Sequence, residues 1–361
     1  MNLPVRDKNS MHTAPIFSVI MPTLNSEKTL RLALNSIRNQ EFPQEDIEIL
    51  LVDGGSTDTT LDIGAAYGCR VIPNLRVQPE CAKHEGLQHA AGKYAIFLDS
   101  DEVLENPLAI QNRFQILSNE EGITFVMTGG YKKPGEAPLI NDYINLFSDP
   151  FSYFMYRVSS DGRFYFQSLA RIYRMEKNTP DFGILRFDDT TPLPLADLSA
   201  GNTIDLAYLR GHYAEYLKEV DVVPLTFFLL ARDSGKAAVL KQDPVIHHCA
   251  DTLSTYLFKL KWRIIVNTHY ANKNKVGAGF STRKREQPRC FRIRQFFFLP
   301  YAILFLPAFL DSLPVAFRAK SKIALLHAPL ALYVAFHIII QSGLKVLGYT
   351  PALKPYGKRQ G

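Results

Sequence analysis

The sequence predicts an α/β fold with a mostly parallel central sheet and flanking helices, followed by an apolar helical tail. Three observations predict it. Apolar runs at 16–21, 47–52 and 94–98 alternate with short helical patterns, as crossover βαβ units do. Each run ends in a polar or acidic cluster: Pro22–Asn25, Asp53–Ser56 and Asp99–Asp101. Beyond residue 294 the chain turns strongly apolar.

Residues 16–21 read as a buried strand closed by Pro22, with Ser26 as N-cap of the next helix. Leu30, Ala33, Leu34 and Ile37 fall at i, i+3, i+4 and i+7, one helical face. Residues 47–52 form a second strand ending at Asp53. Thr57 or Asp58 caps a helix that stops near Gly68, and a short strand follows at 70–72. A helix over 80–91 ends at Gly92, and a strand over 94–98 ends at Asp99. Ligands of such sheets sit beyond the carboxyl ends of the strands, so three motifs far apart in sequence are expected to converge. From 130 to 250 the pattern is irregular, with aromatics dense at 143–166. A helical face returns at Leu253, Tyr256, Leu257, Leu260 and Ile264.

The tail is read from its charges. Gln295–Leu310 and Ile323–Leu344 carry none, and Pro300, Pro307 and Pro314 recur every seven residues, which kinks a spanning helix. The second stretch is long enough to cross a bilayer. Arg318, Lys320 and Lys322 between the two stretches would lie outside in a simple hairpin, against the positive-inside rule. The expectation is therefore interfacial or re-entrant helices, with a single span at 323–344 or a buried soluble hairpin as alternatives. Arg283, Lys284, Arg285, Arg289, Arg292 and Arg294 face one acid, Glu286, just before the tail. This belt suits an anionic membrane surface and not nucleic acid. The formal net charge of the 361 residues is +6, and 47% are apolar, enough for a packed core. Cysteines 69, 81, 249 and 290 make no Cys-x-x-Cys pair, so neither zinc nor a disulfide framework is expected. Met1 to Pro15 is polar without an apolar run, and no cleaved signal peptide is expected. Five segments result: a polar extension (1–15), a regularly alternating half (16–130), a less regular half (131–271), a basic loop (272–294) and an apolar tail (295–361).

The strand ends set the expected chemistry. Asp53, beside Gly54 and Gly55, can accept from a base N–H where glycine lets the backbone approach. Asp99 and Asp101 can divide ribose and metal work, with Asp101 ligating a hard cation, Mg²⁺ or Mn²⁺, through oxygen. Lys83 is a candidate cation for phosphate. Taken singly, an Asp-x-Asp after an apolar run is more often a turn; strand end, spacing and order together give it weight.

Ser18-Val-Ile-Met-Pro-Thr-Leu-Asn25, Leu51-Val-Asp-Gly-Gly-Ser-Thr-Asp58 and Phe97-Leu-Asp-Ser-Asp101 resemble the three signature blocks of family 2 glycosyltransferases with the GT-A fold. Ala82-Lys-His-Glu-Gly86 and Ala91-Gly92 are similar to the family's Ala-Arg-Asn-x-Gly and following glycine. Leu24 stands where an aromatic is frequent, and Lys83-His84 replaces Arg-Asn. The resemblance implies a nucleotide-sugar donor (UDP- or GDP-linked), a divalent metal and inversion at the anomeric carbon. It implies donor contacts at Pro22, Thr23, Asn25, Asp53, Gly54, Lys83, Asp99 and Ser100, with Asp101 and Asp99 toward the metal. The family's general base is a carboxylate in the second half. Glu219-Val220-Asp221 has the spacing to His247, so Asp221 is the first candidate, then Glu219, with Asp188 of Asp188-Asp189 as an alternative. His212 is assigned to an acceptor site, and His247-His248 to the end of a strand. The basic loop and apolar helices resemble membrane-associated members, which implies a lipid-linked or glycan acceptor at the cytoplasmic face. The rival expectations are a polyprenyl-phosphate sugar synthase and a catalytically inactive membrane scaffold.

Overall fold

The computed structural model describes residues 14–220, 222–248, 252–270 and 284–352. Its first strands are β1 (Phe17–Thr23), β2 (Ile47–Asp53), β3 (Arg70–Pro73) and β4 (Tyr94–Phe97). They are mutually parallel in the order β3-β2-β1-β4. Helices α1 (Leu30–Arg38), α2 (Thr60–Ala66) and α3 (Pro79–His89) make the crossovers. The Ser26 cap is a correction: α1 is preceded by a turn, and Thr29 stands at its N-cap position without a side-chain capping bond. The Ser26 carbonyl accepts from Thr29 and Leu30 N–H, and its hydroxyl is turned to Leu24 N–H and Ser100.

The sheet continues through strands from later in the chain. These are β6 (Phe125–Met127), β8 (Arg174–Asn178), β9 (Phe182–Arg186), β10 (Asn202–Asp205) and β11 (Lys236–Leu240), giving β3-β2-β1-β4-β10-β6-β11-β9-β8. β10 runs antiparallel between β4 and β6, β11 is parallel to β6, and β9 is antiparallel to β11. A second small sheet sets β12 (Val245–His247) between β5 (Glu102–Leu104) and β7 (Tyr131–Lys132). Alternating side chains divide the core. Ile20, Leu50 and Phe97 pack beneath α3 and α9 (Val222–Ser234), while Val19, Leu51 and Ile96 pack on α1, α2 and α4 (Ala109–Asn119). α3 lies close on β1 because Gly86 faces Ile20, where a Cβ would come within 2.3 Å of its Cγ2.

A third core joins the tail to the aromatic stretch. α5 (Leu139–Phe147), α6 (Pro150–Tyr156) and α10 (Leu253–Ile265) pack against helices Arg289–Arg294, Phe298–Ile303, Leu306–Ala319 and His327–Val346. At its centre the His327 imidazole is fully buried. Its Nδ1 lies 3.1 Å from the Tyr143 hydroxyl and its Nε2 2.9 Å from that of Tyr301, and the ring stacks on Phe147. The expected kink falls between Ile303 and Leu306, where two helical arms meet at 91°. Phe305 there takes a left-handed φ of 59°, whereas Pro314 lies inside the second arm. Residues 322–346 are long and apolar enough to cross a membrane. Of the basic loop expected at 272–294, residues 272–283 lie outside the described residues, and Arg289–Arg294 is helical, a correction.

Candidate active site

The carboxyl ends of β1, β2 and β4 meet, as their registers require: Thr23 is opposite Asp53, and Ile20 opposite Phe97. Asp53, at the end of β2, is buried. Its Oδ2 accepts Gly55 N–H at 2.9 Å and Ser56 N–H at 2.8 Å. Its Oδ1 accepts the Thr23 and Ser56 hydroxyls at 2.9 and 2.5 Å. The carboxylate therefore builds the turn around Gly54 as well as lying at the site. Only its hydroxyl partners can rotate away to free Oδ1 for a ligand. Asn25, with φ 50°, accepts Thr57 N–H at 2.9 Å and donates its own N–H to the Ser56 hydroxyl at 2.8 Å. The segment after Pro22 is thus stitched to the β2 turn.

The Asp99-Ser100-Asp101 turn lies between β4 and β5. Ser100 donates to the Ser26 hydroxyl at 2.8 Å. Lys83, on α3, reaches Asp99 Oδ1 at 3.1 Å. Burial alone would lower the Lys83 amine, but Asp99, Glu102 and Glu80 outweigh it and hold the group above its ordinary value. Lys83 is therefore a fixed cation already opposed to Asp99, able to share its charge with an incoming phosphate. Asp101 Oδ2 lies 3.5 Å from His247 Nε2, and the Asp101 carbonyl accepts His248 N–H at 2.7 Å. Burial would raise the Asp101 carboxyl, yet His247 outweighs it and holds it low. Burial would lower His247, yet Asp101, Glu102 and Asp99 hold it above its ordinary value.

Three residues of the site escaped the sequence reading. Glu102 is buried and accepts Asp99 N–H and Ala200 N–H, each at 2.8 Å, and the Tyr131 hydroxyl at 3.2 Å. Burial, then the Asp99 and Asp101 charges, push its carboxyl well above the usual range. Tyr131 is the second, and His247, read as a strand-end feature, is the third. His247 is opposite Glu102 across the β12–β5 ladder. A signal for Glu102 existed: it shares the inward parity of Leu104 in β5. His247 was marked only by its spacing from Asp221, and nothing in the sequence tied it to Glu102, 145 residues away, which the ladder alone joins to it.

The base candidates separate. Asp188 is a correction: the structure does not bring it to the strand ends. β9 runs opposite to β11, so Arg186 pairs with Lys236 at the start of β11. That start lies on the rim opposite Asp53 and Asp99, and Asp188 follows Arg186. There its Oδ1 accepts the N–H and hydroxyl of both Thr190 and Thr191, which holds it down at about 2, far from a poised base. His212 stacks on Tyr208 in α8 (Leu206–Tyr213), whose first residue packs at that same opposite rim, its N–H bonded to the Lys93 carbonyl. Asp221 lies outside the described residues. The segment before it is docked on the helix of Lys83, with His84 Nε2 2.7 Å from the Leu217 carbonyl. Glu219 is exposed on that segment.

The set can hold a divalent cation at an open position. Asp101 supplies a hard oxygen and His247, once a cation displaces its proton, an imidazole nitrogen beside it, with Asp99 two positions before Asp101. Among the described residues no group of three or more His, Cys, Asp or Glu is placed to hold a metal ion by itself. An ion at Asp101 would complete its shell with water and ligand oxygens, as Mg²⁺ does beside phosphates.

Comparison with known proteins follows the same residues. The description "Glycosyl transferase family 2" matches residues 18–178, which take in Thr23, Asp53, Lys83, Asp99 and Asp101. The chain is similar to the poly(ribitol-phosphate) beta-N-acetylglucosaminyltransferase TarS of Staphylococcus aureus (strain Mu50). The two are 38% identical over 96 residues, which is 24% of this chain and 16% of that protein. It is also similar to a PGL/p-HBAD biosynthesis glycosyltransferase of Mycobacterium bovis (strain BCG), 38% identical over 97 residues, covering 25% of this chain and 37% of that one. The chain thus spans 16% and 37% of the lengths of these relatives. Among solved structures, S. aureus TarS 1–349 in complex with UDP matches 92% of this chain and 91% of its own, with 18% identity and a TM-score of 0.46.

Proposed function

We propose that the chain, whose residues 18–178 match the description of glycosyl transferase family 2, is an inverting, metal-dependent glycosyltransferase. It moves a sugar from a nucleoside-diphosphate donor to a lipid-linked or polysaccharide hydroxyl at the cytoplasmic membrane face. The convergence of three strand ends carries this reading: the Asp53 turn, the Lys83–Asp99 pair and the Asp101–His247 pair lie on one rim. Thr23, Asn25, Asp53 and Gly54 line the place for base and ribose. Lys83 faces the diphosphate, while Asp99, with Ser100 between the aspartates, faces the ribose or metal-bound water. Asp101 and His247 would hold Mg²⁺ or Mn²⁺, which when bound neutralises charge on the leaving diphosphate. Asp221, with Glu219 beside it, is the proposed base that takes the acceptor proton as the hydroxyl attacks.

The tail supports membrane association. Exposed Ile303, Leu304, Phe305 and Leu306 crown the 91° elbow, and positive charge on both flanks favours helices lying in the interface.

A panel of UDP- and GDP-sugars with Mn²⁺ or Mg²⁺ tests the donor reading. Metal-dependent sugar release from at least one is expected. No turnover, together with no metal-dependent nucleotide binding by calorimetry, would leave an inactive scaffold as the better account. Asp221→Asn separates the acceptor classes. Transfer to a hydroxyl should fall by about 100-fold or more, whereas undiminished transfer to a lipid phosphate, already ionised, would identify a polyprenyl-phosphate sugar synthase.

A further inference from the structure

At the start of the helical arm that leads to the elbow lies a hollow of about 350 Å³ lined by Lys284, Arg289, Arg292, Ile293, Gln295 and Phe296. It is remote in sequence from the donor site, and the reaction described above uses none of these side chains. Three cations point at one small volume. Among the described residues no carboxylate pairs with any of them; the ion pairs nearby join other arginines, such as Arg157 to Asp311. The floor and rim are apolar: Ile293 and Phe296 are both exposed, Phe296 at 72%. Clustered cations repel one another and gain from a shared anion, and arginine forks match phosphate oxygens in pairs.

The hollow is held in place. Gln287 is buried, donates to the Leu193 carbonyl at 2.8 Å and accepts Leu193 N–H at 2.9 Å. Phe291, between Arg289 and Arg292, is buried against Tyr156. The segment is therefore anchored on both sides, and the cations stand on a seated framework. The apolar elbow continues directly from it, with Phe297 and Leu304 exposed. An anion placed here would carry apolar matter beside it.

We propose that this hollow is a headgroup site for a phosphate-bearing membrane lipid, with Arg289 and Arg292 clasping the phosphate, Lys284 adding charge, and Ile293 and Phe296 meeting the acyl region. The proposal rests on the reading that the tail docks on a membrane, and it goes further by assigning one lipid chemistry to one place. It differs from a diffuse basic belt in requiring guanidinium geometry and an accessible phosphate.

The test is flotation of the full chain with phosphatidylcholine vesicles. One set carries phosphatidic acid; the other carries phosphatidylserine at matched surface charge. The wild-type chain is expected to favour phosphatidic acid by about fivefold, the worth of one well-placed charge contact at a membrane surface. Arg289→Lys with Arg292→Lys keeps the charge and should abolish the preference while leaving general binding. Arg292→Lys alone should reduce it, and serves if the double variant misfolds. Equal binding of the wild type to both vesicles, or a preference that survives both variants, overturns the proposal. Loss of binding when inorganic phosphate replaces chloride at equal ionic strength would make the hollow a soluble-anion site and overturn the lipid assignment. Failure to bind any vesicle also overturns it. Sugar release from nucleotide sugars in solution scores the transferase reading separately.

Discussion

Asp53 is the residue at which two demands meet. Its carboxylate closes the turn after β2 through two backbone N–H groups and lies where a donor base is proposed. The two demands predict different outcomes for two substitutions. Asp53→Ala strips both amides of their acceptor and should cost about 2–3 kcal/mol of stability. Asp53→Asn keeps one acceptor oxygen for the amides and lets the Thr23 and Ser56 hydroxyls turn to accept. It should cost about 1 kcal/mol in folding while weakening nucleotide binding. Urea denaturation and calorimetry with UDP and GDP measure the two effects. Equal loss of stability in both variants would show that the turn does not depend on the acceptor. Asp53, Asp99 and Asp101 were legible in the sequence because each ends an apolar run, and strand ends are local facts. Glu102 and His247 were not, because their roles come from a ladder between distant segments. Asp188 misled for the converse reason: its sequence resembles a loop acid, and only the antiparallel course of β9 places it on the far rim.

Among elements, the helix His327–Val346 shows what periodicity could not reveal. Its sequence reads as uncharged as far as Leu344, yet it begins with a buried histidine held by two phenols. Burial pushes His327 down from 6.5 to about 4. The folded state therefore prefers the neutral ring. Its contribution is complete above about pH 6.5 and is lost as pH falls toward about 4, on the order of 3 kcal/mol over that window. Trp262, the one tryptophan, lies on α10, which packs against this helix, so its fluorescence reports the module during urea unfolding. A fall in midpoint between pH 6.5 and 4.5 is expected, and His327→Gln should flatten it. An unchanged slope in that variant would remove His327 as the cause. The sequence showed the tail's apolar stretches and its kink. It did not show that the aromatics at 143–166 were their partners, because a dense aromatic run carries no address for the surface it covers.

Across the whole molecule, the sheet is closed by a strand that arrives late. β10 fills the gap between β4 and β6, and its approach is fixed by Arg113. That side chain is fully buried, donates to the Gly201 and Ala109 carbonyls at 3.0 and 2.7 Å, and pairs with buried Asp243. Arg113→Ala leaves Asp243 charged and alone, and should destabilise the protein by about 3–5 kcal/mol, measured by chemical denaturation; a cost under about 1 kcal/mol would refute the tie. The alternating pattern of the first hundred residues made the parallel half readable. The mixed half was not, since short strands such as β6 and β10 have too few residues to show a period. The insertion of β10 also bears on biosynthesis. When the ribosome has released only the first 130 residues, β4 still presents an unpaired apolar edge, for its partner β10 comes some 70 residues later. The parallel half of the sheet must wait, exposed, until that strand emerges. A fragment ending at 130 should therefore aggregate on expression, whereas the full chain should not, and the nascent chain has reason to engage a chaperone during that interval.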